Sequence, residues 1–185
     1  LKKGRSVTLI DHNAKPGRKI RISGGGRCNF TNRNIYPDRY LSQNPRFCIS
    51  ALKRFTPSHF ISLLEKHNIN YHERKHSQLF CDKSAVQIIE MLQSECRAVN
   101  VDFFLNVDIS KIEKLTNYRV ISQSKIYESQ SVIIATGGKS IPKIGATSFG
   151  YDVAKNFGLK IVQPKPALVP LTFEGETGDQ LKALA

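Results

Sequence analysis

Short apolar runs alternate along this chain with polar, glycine-marked breaks, and that rhythm places its elements. Ser6-Val7-Thr8-Leu9-Ile10 is a β-branched run closed by Asp11, the pattern of a buried parallel strand. Before it, Leu1-Lys2-Lys3-Gly4 reads as the last turn of a helix, with cations near its carboxyl end and a glycine after it. Thr56 and Pro57 predict an N-cap and first helical residue, and Phe60, Ile61, Leu63 and Leu64 follow at helical spacing as far as Asn68. A second helix is predicted from Ser84, where Ser84-x-x-Gln87 has capping-box spacing. Its Ala85, Ile88, Ile89, Leu92 and Cys96 share one face. Tyr71 to Cys81, between the helices, predicts a short extended segment or hairpin.

Four short strands are predicted next, from Val101 to Val107, Ile109 to Ile112, Tyr118 to Ser122 and Lys125 to Glu128, forming a meander beside a main sheet. Val132-Ile133-Ile134-Ala135 is apolar on both faces, as a central parallel strand requires, and Thr136-Gly137-Gly138 turns at its carboxyl end. Ligands of open α/β sheets bind outside the carboxyl ends of strands, so this turn and Asp11 are expected to face one ligand. A plain strand-to-loop turn uses glycines as well. Gly150 to Phe157 predicts a short helix closed by Gly158, and Leu159 to Val162 another strand. From Gln163, the prolines Pro164, Pro166 and Pro170 punctuate an extended crossover between domains.

Candidate chemistry concentrates in Ser23-Gly24-Gly25-Gly26-Arg27-Cys28-Asn29-Phe30-Thr31-Asn32. The run is a poor helix and a poor strand, and suits a loop. Glycines at positive φ present bare N–H groups that make an anion-binding concavity. Arg27 adds a planar fork suited to phosphate, and Asn29, Thr31 and Asn32 offer polar groups to a heterocycle edge or ribose. The alternative is a flexible linker, against which the mixture with Arg27, Cys28 and Phe30 counts. Cys28 reads as a small residue filling tight space. Helix end, glycine, strand and acid together form the second half of a dinucleotide-binding βαβ unit. There the acid accepts from a ribose, and a Gly-x-Gly-x-x-Gly turn stands roughly 20 residues earlier. Asp11 has ten residues before it, so that turn and its strand are expected to lie outside this chain.

Charge changes the picture at one end only. The net charge is +13, and residues 1–54 carry thirteen Lys/Arg against Asp11 and Asp38, whereas residues 55–185 carry fifteen against thirteen acids. That asymmetry points to an anionic partner near the N-terminal third. A pyrophosphate needs only one or two of these cations. The surplus, with Phe30, Tyr36, Tyr40, Phe47 and Phe55 interleaved, keeps nucleic acid open as the minor reading, although no RNA-recognition signature is present. Four cysteines without Cys-x-x-Cys spacing read as reduced thiols of a cytoplasmic protein. No run approaches the ~20 apolar residues of a membrane span, and no charged-then-apolar leader is visible. His72 and His76 stand four apart in a non-helical stretch without a third ligand, so no metal site is expected.

Several segments carry a family resemblance: Val7 to Asp11, Pro16-Gly17-Arg18-Lys19, Ser23 to Asn29, Val132 to Gly138, Gly145 to Tyr151 and Pro166 to Leu171. In order, over nearly the whole chain, they resemble the BaiN-type NAD(P)/FAD-dependent flavoproteins. The Gly-Arg-Lys and Ser-Gly-Gly-Gly-Arg-Cys-Asn pair is the specific part, while the Ala-Thr-Gly-Gly turn is common to many flavoproteins. Where many members have Thr-Gly-Asp-Gly-Tyr, this chain has Thr147-Ser148-Phe149-Gly150-Tyr151, so an acidic contact there is not carried over.

The resemblance implies an α/β fold: a partial Rossmann-like FAD-binding domain over residues 1–163, with a parallel sheet, a mostly helical insert at 36–100 and a small β-meander. Residues 164–185 would then cross into a second domain, the chain being an internal fragment. It further implies that NAD(P)H delivers hydride to FAD, which passes it to a small organic acceptor, in some members an unsaturated steroid ring. By the same resemblance, Asp11 holds ribose hydroxyls, and Arg18, Lys19 and Arg27 stand by the pyrophosphate or flavin. The backbone of Ser23, Gly24, Gly25, Gly26, Arg27, Cys28 and Asn29 lines the flavin side. Ile109, with Val107, passes the adenine, and Ala135, Thr136 and Gly137 face the cofactor. No residue has the credentials of a general acid or base, and His12 is the nearest by position. Two alternatives stand beside this reading: a basic nucleic-acid-binding module, and a fragment unable to hold FAD alone for want of the first βα turn.

Overall fold

The computed structural model describes residues 4–141 and 145–165. Contacts divide the chain into two compact units, Leu1–Thr147 and Ser148–Ala185. The first unit runs β1 (Val7–Ile10), α1 (Arg18–Ile22), a 3-10 turn (Ser23–Gly26), β2 (Asn29–Asn32), a second 3-10 turn (Pro37–Arg39), α2 (Ile49–Arg54) and α3 (Pro57–Lys66). It continues through β3 (Tyr71–Glu73), β4 (Gln78–Cys81), α4 (Ala85–Arg97), β5 (Val101–Phe104), β6 (Ile109–Lys114), β7 (Tyr118–Ser122) and β8 (Ile126–Ser129). The second unit contains α5 (Phe149–Asn156). The expected turn at Leu1 to Lys3 and the part of the proline crossover from Pro166 onward lie outside the described residues.

The fold is α/β, with three small sheets among the described residues. β1 lies parallel to β5, Val7 opposite Val101 and Ile10 opposite Phe104. Thus the first of the four expected meander strands joins β1 instead, and it ends at Phe104. The other three form the antiparallel ladder β6-β7-β8. β2-β4-β3 is the third sheet, antiparallel throughout, so Asn29 to Asn32 is a strand where the composition predicted a loop. Pairing with β4 satisfies its backbone, and an available partner outweighs weak intrinsic propensity.

Core and sheet do not coincide as the apolar pattern suggested. The buried cluster is Cys28, Leu64, Ile69, Cys81, Ala85, Ile88 and Met91, with Phe30, Phe60 and Tyr71 packed on it. It fills the space where α3 and α4 meet the β2-β4-β3 sheet. β1, by contrast, is exposed at Val7 and Thr8 and only half-buried at Leu9 and Ile10. Val132 to Ala135 forms no strand, and Ile133 is 89% exposed. Leu159 to Val162 is also without strand structure and exposes Leu159 and Val162. The reason is common to all three: an apolar run buries its faces and satisfies its N–H and C=O groups only against neighbouring strands. Among the described residues β1 has one neighbour and the other two runs have none.

Helix starts follow their capping residues. Thr56 Oγ1 accepts from His59 N at 3.4 Å while His59 Nδ1 accepts from Thr56 N at 3.1 Å, a reciprocal box ahead of Pro57. The expected box at Ser84 is only half made. Ser84 Oγ accepts from Val86 N at 3.1 Å, and the buried Gln87 carboxamide oxygen has no partner among the described residues. At the far end of α3, Lys66 Nζ and His67 Nε2 each stand 2.6 Å from Glu95 Oε1 on α4. Hydrogen bonds from Lys66 and then His67 hold the Glu95 carboxyl below the usual range. A carboxylate with a depressed folded-state pKa contributes stability that is present above its unfolded value of about 4.3 and lost as pH falls through the folded one. Urea unfolding midpoints are therefore expected to fall from neutral pH into this acid range, and the Glu95→Gln variant to show a shallower fall.

Candidate functional site

The segment after β1 is pinned to the chain leaving β5. Asp11 N donates to Phe104 O at 2.9 Å, Val107 N to Asp11 O at 3.1 Å, and Asn106 N to Asn13 O at 3.2 Å. Asp11 therefore sits at the carboxyl end of a parallel pair, where open α/β sheets bind ligands. Its Oδ1 accepts from both the backbone N and Nδ2 of Asn13, each at 2.9 Å. This Asx turn aims the carboxylate, and among the described residues the second oxygen has no hydrogen-bond partner. The side chain is 28% exposed, open to a ligand yet held.

Cations gather beside it. Arg18 Nη1 donates to Asn13 Oδ1 at 2.8 Å, which ties α1 to the Asp11 turn. Lys19 Nζ donates to Ser140 Oγ. The backbone at Gly145, φ +91, passes close to His12: a Cβ there would stand 2.7 Å from His12 Nε2. The tertiary fold thus brings Asp11, Arg18 and Lys19 together with His12, Asn13, Ser140 and Gly145. Of these, Asn13 escaped the sequence reading, and the Asp-x-Asn spacing of an Asx turn is the signal that was available. Ser140 had no such signal, because only the long-range approach of its loop reveals it.

The glycine run follows α1 directly. Ser23 Oγ donates to Ile20 O at 2.8 Å, and Gly24 and Gly25 lie in the left-handed region at φ +57 and +65. Gly24 backs onto the Phe80 ring, while among the described residues nothing stands within 4 Å of where a Cβ of Gly25 would be. The turn therefore has one packed side and one open side. Gly26 hands on to the exposed Arg27, whose carbonyl accepts from Cys81 N at 2.9 Å. Cys28 is buried in the core cluster, and Asn29 opens β2. Ile109 starts β6, half-buried and opposite Ser122. Ala135, Thr136 and Gly137 are exposed in irregular chain, so the expected strand-end turn is not formed there. The physical cause is the lack of a strand beside Val132 to Ala135 among the described residues.

The donor set fits a nucleotide cofactor in part. An aimed carboxylate with an open oxygen suits vicinal ribose hydroxyls, and exposed Lys19 and Arg27 beside an open glycine backbone suit phosphate. Among the described residues no three His, Cys, Asp or Glu side chains converge as a metal site requires, and no helix is long and apolar enough to cross a membrane. The thiol nearest the loop is packed away. Burial, helped by Cys28 and Asp82, pushes the Cys81 thiol up to about 11. In the native protein at neutral pH, a thiol reagent is expected to label the half-buried Cys48 and Cys96 and to reach Cys28 and Cys81 only on unfolding. Mass spectrometry of the labelled peptides checks this.

A family model described as HI0933-like protein Rossmann domain matches residues 1–179. The chain belongs to the HI0933-like Rossmann-domain family. Its fold is of the flavin-oxidoreductase type, as the motif pattern implied. Among curated relatives, a ribosomal RNA dihydrouridine synthase of Escherichia coli (strain K12) is 48% identical over 98% of this chain and 46% of that protein. One of the same name from Haemophilus influenzae is 47% identical over 100% of this chain and 47% of its own length. A more distant relative is a 3-dehydro-bile acid delta(4,6)-reductase of Clostridium scindens, 28% identical over 89% of this chain and 41% of that protein. The chain spans less than half the length of these relatives.

Proposed function

We propose that this chain is the cofactor-binding part of an FAD-dependent oxidoreductase that reduces a uridine ring in ribosomal RNA, with NAD(P)H as the reductant, in the cytoplasm. The observation that carries the reading is the near-half identity, along the whole chain, to two proteins named ribosomal RNA dihydrouridine synthase. The flavoprotein and nucleic-acid readings, alternatives in the sequence, become two parts of one function. Bound FAD would supply hydride for the ring double bond. The chain's own residues would hold and orient that cofactor: Asp11 through the ribose, Lys19 and Arg27 by offsetting phosphate charge, and the Ser23 to Asn29 backbone along the flavin side. The aimed carboxylate of Asp11 and the open face at Gly25 support this assignment.

The test uses the protein at its natural full length. The expected result is a yellow protein whose flavin is bleached by NADPH or NADH, and whose deletion from cells removes dihydrouridine from ribosomal RNA. A protein that shows no flavin absorbance after reconstitution would sink the cofactor assignment. Unchanged dihydrouridine in the deletion strain, with turnover of a steroid-like enone by the purified protein, would move the substrate to the bile-acid class instead.

A further inference from the structure

We propose that residues 36–54 form an exposed basic and aromatic surface that docks a single-stranded RNA segment. The proposal rests on the ribosomal RNA reading above and adds to it a place on the chain where the RNA would sit. Its first support is unspent charge. Eleven Lys/Arg are described between Arg5 and Arg54, all exposed, and Arg33, paired with Glu73 at 2.8 Å, is the one with an ion-pair partner among the described residues. Arg39, Arg46, Lys53 and Arg54 have no ion-pair partner among the described residues, and Asp38 is the sole acid in the segment. Around the Asp11 turn, Arg18 and Lys19 are already engaged with Asn13 and Ser140. Four of the cations without an ion pair among the described residues thus fall within residues 36–54, apart in sequence from Asp11, Arg18, Lys19 and Arg27.

The second support is how the segment is built. Arg39 N and Tyr40 N donate to Tyr36 O and Pro37 O, each at 3.1 Å, closing a 3-10 turn that sets the backbone from Tyr36 to Tyr40. Asn44 Oδ1 accepts from Arg46 N at 3.2 Å, and Asn44 O accepts from Phe47 N at 3.0 Å, which sets the entry to α2. On α2, Ser50, Lys53 and Arg54 share one face by their spacing. With Arg46 and Ile49 they line an open cleft of ≈ 530 Å³. In the same segment Leu41 and Phe47 are 95% and 82% exposed, and Tyr36 and Tyr40 are exposed too. Phe30, by contrast, packs against Phe60 and Tyr71 and is no part of this surface.

Unpaired cations interleaved with exposed aromatic rings are what single-stranded nucleic acid requires, the cations tracking phosphates while the rings stack on bases. A site for free phosphate would have no use for exposed Phe47 and Tyr40. A lipid surface calls for a continuous apolar helix face, and α2 has six residues with two cations in its last turn.

The test measures binding of a mixed-sequence single-stranded RNA oligonucleotide to the full-length protein against salt, with phosphatidylserine vesicles and poly-glutamate as comparison probes. The variant Arg46→Ala/Lys53→Ala/Arg54→Ala is expected to lower the log–log salt slope by about 2 and weaken binding tenfold or more. Tyr40→Ala/Phe47→Ala is expected to weaken it by about thirtyfold or more at unchanged slope. Lys83→Ala/Arg97→Ala, which removes charge elsewhere, is expected to leave both nearly unchanged. All substituted side chains but none of the core are exposed, and thermal midpoints verify folding. Wild-type RNA affinity in both segment variants overturns the proposal. So does tighter binding of vesicles or of poly-glutamate than of RNA, which would assign the surface to a membrane or an acidic protein. Flavin absorbance and ring reduction are read separately, so loss of the flavin reading leaves this result interpretable.

Discussion

Gly24→Ala is expected to lower the unfolding free energy by about 2–4 kcal/mol, while Gly25→Ala, one residue on, costs about 1 kcal/mol. Both glycines are left-handed, at φ +57 and +65, so both alanines carry the conformational penalty. Space separates them. At Gly24 a Cβ would meet the Phe80 ring at 2.7 Å and the Asn29 backbone nitrogen at 2.8 Å, closer than atoms approach without displacement. Phe80 has little room to yield: it is 7% exposed, with the Arg74 guanidinium 4.5 Å over its ring and His72 stacked beside it. Asn29 N belongs to the β2 backbone, so relief there disturbs the pairing with β4. At Gly25 nothing among the described residues stands within 4 Å. Urea unfolding of the two variants reads the difference. Equal losses would mean that backbone conformation alone, and not the close packing of the turn on Phe80, requires glycine at this position.

The second large effect is on the cofactor. Asp11→Ala is expected to weaken FAD binding to the full-length protein by roughly tenfold to a hundredfold, the worth of a hydrogen bond to a charged acceptor. It also removes the acceptor of both Asn13 bonds and so slackens the Asx turn. Asp11→Asn separates these contributions. Its carboxamide oxygen still accepts from Asn13 N, so the turn persists while the charge is lost, and a smaller loss is expected. Fluorescence titration of the apoprotein with FAD checks both variants. If alanine and wild type bind FAD equally, Asp11 shapes the turn and does not hold the ribose.

What was legible in the sequence shares a physical trait: its hydrogen bonds close within a few residues. Thr56 and Pro57 start α3, Ser84 starts α4, and Tyr71 to Cys81 folds as a hairpin, all as the local pattern predicts. The ladder from Ile109 to Ser129 and the helix after Ser148 belong with them. The family motifs were legible too, because Gly17-Arg18-Lys19 and Ser23 to Asn29 are contiguous.

Sheet membership was not written locally. Val7 to Ile10, Val132 to Ala135 and Leu159 to Val162 are nearly equivalent as apolar, β-branched runs, yet only the first is a strand, because β5 lies beside it. Asn29 to Asn32, poor in propensity, is a strand because β4 supplies its partners. The site behaves the same way: Asp11 is visible from sequence, but its pinning by Phe104 and Val107 and the approach of Ser140 and Gly145 come from distant chain. The sequence by itself determined the helix caps, the hairpins, the charge asymmetry and the motif that marks the family. The tertiary structure decided which apolar runs pair and which polar residues meet, since a strand's hydrogen bonds and a site's neighbours must be supplied by residues far along the chain.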